Sequence, residues 1–435
     1  MVLDARITRR QLLKSGAGAA AAATLATMGP TVALGAGTGK AKLIPEDKVG
    51  TITFTQRDVP GRLGIEASAA AGVTPTMGNL GGDNIHNDPN DVGPIVPLPG
   101  GWKELFEFFA TVGIKQVEFA GYGQNAANPG GGQPAITLPG PGQVYNPAAT
   151  PAYLDYARTL RGFLDAAGLL AIGNHGFIPS SWPGGPNGGM TEGDFGRYMT
   201  ELQFASILGM PYMGTGNDPT SANDRSTAAW NLAGEKWEAL NSLSIESFGI
   251  QLYPHNHSPA YNFLQDGPDV VVTQHRLTGA PIPPTTVKGE SGTRLMGYYL
   301  EITDPELCVI ELDIFWAHVA QHQHQWRYDF NGNRVRDIFD PLAFVASQPN
   351  RFALYHAKDG DRVPDAPLTD NGYNFVPFGD ASSDIDFGTF FKNQGAKGFH
   401  NPNYEQDNAP GPATDRGRSL RFTRFSAYNM VNLRG

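Results

Sequence analysis

The stretch Val-Ile-Glu-Leu-Asp-Ile-Phe-Trp at residues 309–316 ends an apolar run with two carboxylates, Glu311 and Asp313. A short apolar run bounded by polar and turn residues reads as a buried strand, and the two-residue period of a strand puts Glu311 and Asp313 on one face. The same pattern recurs outward in both directions. Residues 115–119 contain Glu118, 169–173 run into His175, 250–253 lead to His255 and His257, 352–356 end in His356 shortly before Lys358 and Asp359, and 399–405 end in Glu405. With 63–66 as a first strand and 211–214 as a fourth, eight strands are expected. Between them lie helical faces: Trp102, Leu105, Phe106, Phe109 and Ala110; Tyr153, Leu154, Ala157, Leu160 and Leu164; Phe195, Met199, Leu202 and Ala205; Trp230, Ala233, Trp237 and Leu240. Strict alternation of this kind predicts an α/β fold, a (β/α)8 barrel. Segments rich in Gly, Pro and Asn at 74–101, 123–150, 178–190 and 258–294 mostly follow strand C-termini. They become long loops on the catalytic face.

The N-terminus reads as an address. Thr8-Arg9-Arg10-Gln11-Leu12-Leu13-Lys14 precedes an Ala/Gly run over 16–28 and small residues at 33–36, the arrangement of a twin-arginine export signal. The run is too poor in Leu and Ile for a membrane span, which needs roughly 20 strongly apolar residues. Residues 1–40 are therefore assigned as signal and linker, residues 41–435 as a single barrel domain, and the protein is expected in the periplasm or outside the cell. The twin-arginine route carries folded cargo, which suits a protein that acquires a metal or cofactor before export. A net charge of −10 without basic runs argues against nucleic acid or an anionic membrane as partner. The single cysteine, Cys308, excludes an intrachain disulfide and a thiolate cluster, so any metal is held by His and carboxylates. A homo-oligomer remains open.

Nitrogen and oxygen ligands suit one divalent ion, Mn, Mg, Co, Zn or Fe(II), without choosing among them. Such an ion polarises a carbonyl and stabilises the enediolate formed when a base removes the α-proton, which opens isomerisation, epimerisation, dehydration and β-elimination. Single residues carry plainer alternatives. His175 is a ligand-like or a structural histidine, Glu118 contacts substrate or braces the barrel floor, Glu311 is a salt-bridge partner beside the better ligand Asp313, and Lys358 binds substrate or pairs with Asp359. His318, His322 and His324 are placed on the pocket rim or in solvent.

Taken in order, several motifs resemble one known group: residues 113–122; His255-Asn256-His257; Glu311 to Trp316; Asp340-Pro341; Arg351 followed by Tyr355-His356-Ala357-Lys358-Asp359; the turn over 379–387; and Glu405-Gln406-Asp407. The chain resembles the sugar phosphate isomerase/epimerase group of the xylose isomerase-like barrels, in its inosose dehydratase-like branch, over roughly residues 61–407. The resemblance implies a metal held by Asp313, His356 and Glu405. The fourth ligand, a Glu in the epimerases, falls on His255, which removes a carboxylate that a symmetric proton swap would use. Glu405, His255 or His257 is then the base, Trp316 stands where the epimerases present a substrate-binding His, and Glu118, His175 and Lys358 contact sugar hydroxyls. The branch also looks like enzymes that cleave glycosides already oxidised to a ketone at the sugar's third carbon. The reading is an exported, metal-dependent isomerase or lyase acting on a sugar or keto-glycoside. Its rivals are an isomerase or epimerase of a free ketose and a non-catalytic secreted sugar-binding protein.

The signal makes its own prediction. Replacing Arg9 and Arg10 together by Lys retains the protein in the cytoplasm when cell fractions are probed; undiminished export of that variant excludes the twin-arginine route.

Overall fold

The computed structural model describes residues 40–435 except 73–75, 80–94, 124–133, 139–143, 186–188, 221–223, 363–372, 396–400 and 413, and the twin-arginine motif lies outside the described residues. Residues 42–435 form one compact unit. Its centre is a ring of parallel strands: β1 (Gly50–Ile52), β2 (Gln116–Phe119), β3 (Leu170–Asn174), β4 (Tyr212–Gly214), β5 (Gln251–Tyr253), β6 (Ile310–Asp313), β7 (Phe352–Arg362) and β8 (Pro402–Glu405). β1 pairs with both β2 and β8, β2 with β3, β4 with β5, β6 with β7 and β7 with β8, all in parallel. Two seams remain, and each is closed by a single parallel bridge, His175↔Gly214 and His255↔Glu311. The ring is therefore complete, a (β/α)8 barrel.

Helices α1 (Gly101–Thr111), α2 (Thr150–Ala167), α3 (Glu192–Leu208), α4 (Thr227–Phe248), α5 (Leu295–Ile302), α6 (Ile314–Gln323), α7 (Pro341–Ser347), α8 (Phe387–Gly395) and α9 (Arg418–Asn432) follow the strands in turn, with two of them after β6. Their apolar faces are those expected: all five marked residues of α2 and all four of α4 are buried, while on α3 Leu202 and Ala205 are buried and Phe195 and Met199 partly so. Each such aliphatic or aromatic side chain contributes about 1.5–3 kcal/mol on leaving water. Motif residues outside the site serve this frame. Asp340 caps α7 by accepting from the amides of Leu342 and Ala343, and buried Arg351 donates to the carbonyls of Cys308 and Leu300 and to the Thr303 hydroxyl.

The first strand differs from expectation. Residues 63–66 do not form it: Leu63 is half exposed and Ile65 opens the short helix Ile65–Ala70. The strand is Gly50–Ile52, whose three residues are too few to show alternation, and pairing on both edges defines it. β7 also runs beyond the barrel, where Tyr373–Val376 pairs with it antiparallel and carries Phe375 to the mouth. Within the loop after β5, Asp269–Gln274 and Pro281–Lys288 form an antiparallel pair that packs Val270 and Val272 against Tyr328.

One core residue yields a pH prediction. Glu201 of α3 is buried, accepts from the Tyr153 hydroxyl at 2.9 Å, and burial pushes its carboxyl up to about 7 from 4.5. A raised folded pKa means that its stabilising protonated form is fully present below pH 4.5 and is lost as pH rises through about 7. Glu201→Gln removes that loss, and urea unfolding near pH 8 finds the variant more stable than the wild type by up to about 3 kcal/mol, with no gain near pH 4.

Candidate metal centre at the strand ends

Polar side chains from the ends of six strands meet in the lumen on successive rungs, because residues two apart on a strand face the same way. On the lower rung Glu118 of β2 and Glu311 of β6 are fully buried. Glu118 accepts from the Tyr253 hydroxyl at 2.5 Å, Asn403 Nδ2 at 3.0 Å and His356 Nε2 at 3.1 Å. The Tyr253 ring fits because β3 and β4 carry glycines there: a Cβ on Gly173 would lie 2.9 Å from its hydroxyl, and one on Gly214 would lie 2.4 Å from its ring. Glu311 Oε2 meets His175 Nε2 at 2.7 Å and His255 Nδ1 at 3.0 Å, and its Oε1 lies 3.1 Å from His356 Nε2.

One rung up, Asp313, His356 and Glu405 converge. Glu405 Oε2 is 2.8 Å from His356 Nδ1, Asp313 Oδ2 is 3.8 Å from the same nitrogen, and His255 Nε2 is 3.9 Å from Asp313 Oδ2. Lys358 Nζ lies 2.7 Å from Glu405, 3.0 Å from Asp313 and 3.2 Å from Asp407. Asp313 is tightly aimed. Its Oδ1 accepts from the Trp316 amide as the cap of α6, and its own amide and carbonyl are clamped by Asn256.

Two observations fit a divalent cation here. Asp313 Oδ2, His356 Nδ1 and Glu405 Oε2 are buried and converge within 4.8 Å of one another. In addition, Glu118, Glu311, Asp313 and Glu405 are all buried, while Lys358 is the lone lysine or arginine paired with any of them among the described residues. Burying that much negative charge requires compensation, which His356 shares: burial lowers it, but Glu311, Glu405 and Glu118 outweigh burial and hold it well above its usual range. Oxygen with imidazole nitrogen is the donor set of Mn, Mg, Co, Zn or Fe(II).

The electrostatics follow from this packing. Burial, reinforced by Glu311, pushes the Glu118 carboxyl up to about 7. Burial also raises Glu311, but His356 and His175 outweigh it and hold that carboxyl well below the usual range. Burial takes Asp313 up to about 6 against the pull of Lys358. Burial drives His255 well below its ordinary value, leaving the neutral ring that a ligand needs.

The other expected residues fall into place around this centre. His175 belongs to the lower rung through Glu311. Glu118 has protein groups as its partners and sits behind His356. Lys358 pairs with Glu405, Asp313 and Asp407, whereas Asp359 turns away to accept from Gly360 and Gly379 amides and the Ser383 hydroxyl. At the mouth His257 keeps an exposed edge, with its ring centroid 5.4 Å from that of Trp316, and Lys358 Nζ stands 5.5 Å from the Trp316 ring and 5.8 Å from Phe375. Enclosure, then Lys358, pushes His257 down to about 4. His318 and His322 lie on α6 and His324 caps its end; among the described residues none joins a converging group. Sequence reasoning missed Tyr253, Asn403 and Phe375. Asn256 had a readable signal: between two inward histidines it points outward, where a buried amide needs partners.

Fold and cluster together define a (β/α)8 barrel with a buried histidine and carboxylate centre at its strand C-termini. No family model and no curated protein matches the chain. Solved structures do. A sugar phosphate isomerase/epimerase from Parabacteroides distasonis is 16% identical, covering 91% of this chain and 97% of its own, with a TM-score of 0.47. A xylose isomerase domain containing protein from Salmonella typhimurium is 10% identical over 90% and 98% of the two chains, with a TM-score of 0.44. The 3-keto-D-glucoside 4-epimerase of E. coli is 11% identical over 75% and 95%, with a TM-score of 0.38.

The Asn256 clamp can be tested directly. Asn256→Ala leaves the buried Asp313 amide without its acceptor, and denaturant unfolding records a loss of about 1–3 kcal/mol. A change within about 0.5 kcal/mol shows that the clamp is not needed.

Proposed function

We propose that the chain is a divalent-metal-dependent enzyme of carbohydrate substrates that removes a proton α to a carbonyl, acting on a glycoside carrying a ketone at the sugar's third carbon. The observation that carries this reading is the convergence of Asp313 Oδ2, His356 Nδ1 and Glu405 Oε2, all buried, within 4.8 Å of one another. These three residues, with His255 Nε2, would hold the ion. When bound, it polarises the ketone and favours the enolate over the ketone.

The chain's own residues supply the rest. His255 has both ring nitrogens turned to Glu311 and Asp313, and Glu405 is engaged by Lys358 and His356. His257, neutral at pH 7 and open to the mouth, is the base that takes the proton. The electron pair left behind enters the enolate. As the carbonyl re-forms, that pair makes the new carbon–carbon double bond and expels the aglycone oxygen, which takes up the proton that His257 received. Trp316 and Phe375 line the approach, a surface suited to a sugar face or an aromatic aglycone. The single lysine among three carboxylates suits a neutral glycoside better than a phosphate ester. Export to the periplasm or beyond, the expectation from Arg9 and Arg10, belongs to the same proposal.

Elemental analysis of the purified protein beside Asp313→Ala tests the centre, with about one equivalent of divalent metal expected in the first and none in the second. His356→Ala lowers turnover of a 3-oxo-glycoside by about a thousandfold or more and loses the metal with it. An active, metal-free His356→Ala protein overturns the reading, and deuterium uptake by a free ketose without bond cleavage replaces it with an isomerase.

A further inference from the structure

His255 and His356 each offer one ring nitrogen to the centre and turn the other toward the lower rung. His255 directs Nε2 toward Asp313 and gives Nδ1 to Glu311 Oε2 at 3.0 Å. His356 does the reverse, with Nδ1 toward Glu405 and Nε2 at 3.1 Å from both Glu118 Oε2 and Glu311 Oε1. The two rings must therefore carry their protons on opposite nitrogens, Nδ1 in His255 and Nε2 in His356, if both lone pairs are to face one ion.

We propose that Glu311 and Glu118 are positioning residues, a pair of buried carboxylates that fix these opposite tautomers and hold both rings in ligating orientation. The inference rests on the metal-centre reading above and adds residues that do not touch the ion. Only an acceptor without a proton suits the place of Glu311, because His175, His255 and His356 all approach it with ring nitrogens. The ion pairs of both carboxylates among the described residues are with histidines alone. Their own orientation is fixed from below and beside: His175 meets Glu311 at 2.7 Å, while Tyr253 and Asn403 donate to Glu118. β6 thus supplies Asp313 and, two residues earlier, the carboxylate that aligns its partners. The His255↔Glu311 backbone bridge brings the ring and its acceptor together.

An amide in place of Glu311 has one accepting and one donating end. Turned one way, its N–H groups face His175 and His255; turned the other, they face His356 Nε2 and draw its lone pair away from the ion. Either way one ligand is spoiled.

The test strips metal from the full-length protein and titrates it with Co(II), reading affinity and the visible d–d bands. Glu311→Gln is expected to bind about 10–100-fold more weakly with altered bands, and Glu118→Gln, which hydrogen-bonds His356 but not His255, about tenfold more weakly. Circular dichroism of the metal-free variants checks folding, and Glu118→Gln carries the test if Glu311→Gln does not fold. Wild-type affinity and bands in both variants overturn the proposal while leaving the metal centre standing. Complete loss of metal in Glu311→Gln, matching Asp313→Ala, makes Glu311 a ligand and overturns it too. A wild-type protein that binds no Co(II), Mn(II) or Zn(II) removes the functional reading itself.

Discussion

Two carboxylates buried beneath the strand ends constrain everything above them. Glu118 and Glu311 face each other in the lumen and are compensated by imidazoles instead of by lysine or arginine. A buried charge left unpaired costs several kcal/mol, so every group that reaches these oxygens is held in place. Tyr253, Asn403 and His175 are recruited from three further strands, and His255 and His356 are left with one nitrogen each for the rung above. The barrel wall accommodates this network by omitting side chains at Gly173 and Gly214, where the Tyr253 ring lies.

The centre above that network is acidic by design of position more than of composition. Asp313 points inward because its Oδ1 caps α6 and Asn256 clamps its backbone. Lys358 stands among Asp313, Glu405 and Asp407 but supplies only one positive charge. Two buried carboxylates against one buried ammonium, with an imidazole nitrogen converging on them, distinguish this cluster from a simple surface salt bridge. The mouth is built separately, from the extension of β7 and its antiparallel partner, which set Phe375 beside Trp316.

Much of this was legible along the chain. The strand ends carrying Asp313, His356 and Glu405 could be read because a buried strand is a short apolar run and a barrel exposes its polar groups at one end. The faces of α2 and α4 could be read because a helix period repeats over many residues. β1 could not, since Gly50–Ile52 is too short to carry a period and becomes a strand only when β2 and β8 flank it. The paired roles of Glu118 and Glu311 were likewise hidden.

By itself the sequence determined the residue types, their place at strand ends and the face each strand turns inward, because these depend on local period and polarity. It could not determine which rung each side chain occupies. That depends on the stagger between neighbouring strands around a closed ring, a property no single segment possesses. The stagger sets Glu118 behind His356 instead of at the substrate, and turns Lys358 to Asp407 and Glu405 instead of to Asp359. It likewise places Glu311 where three histidines reach it at once.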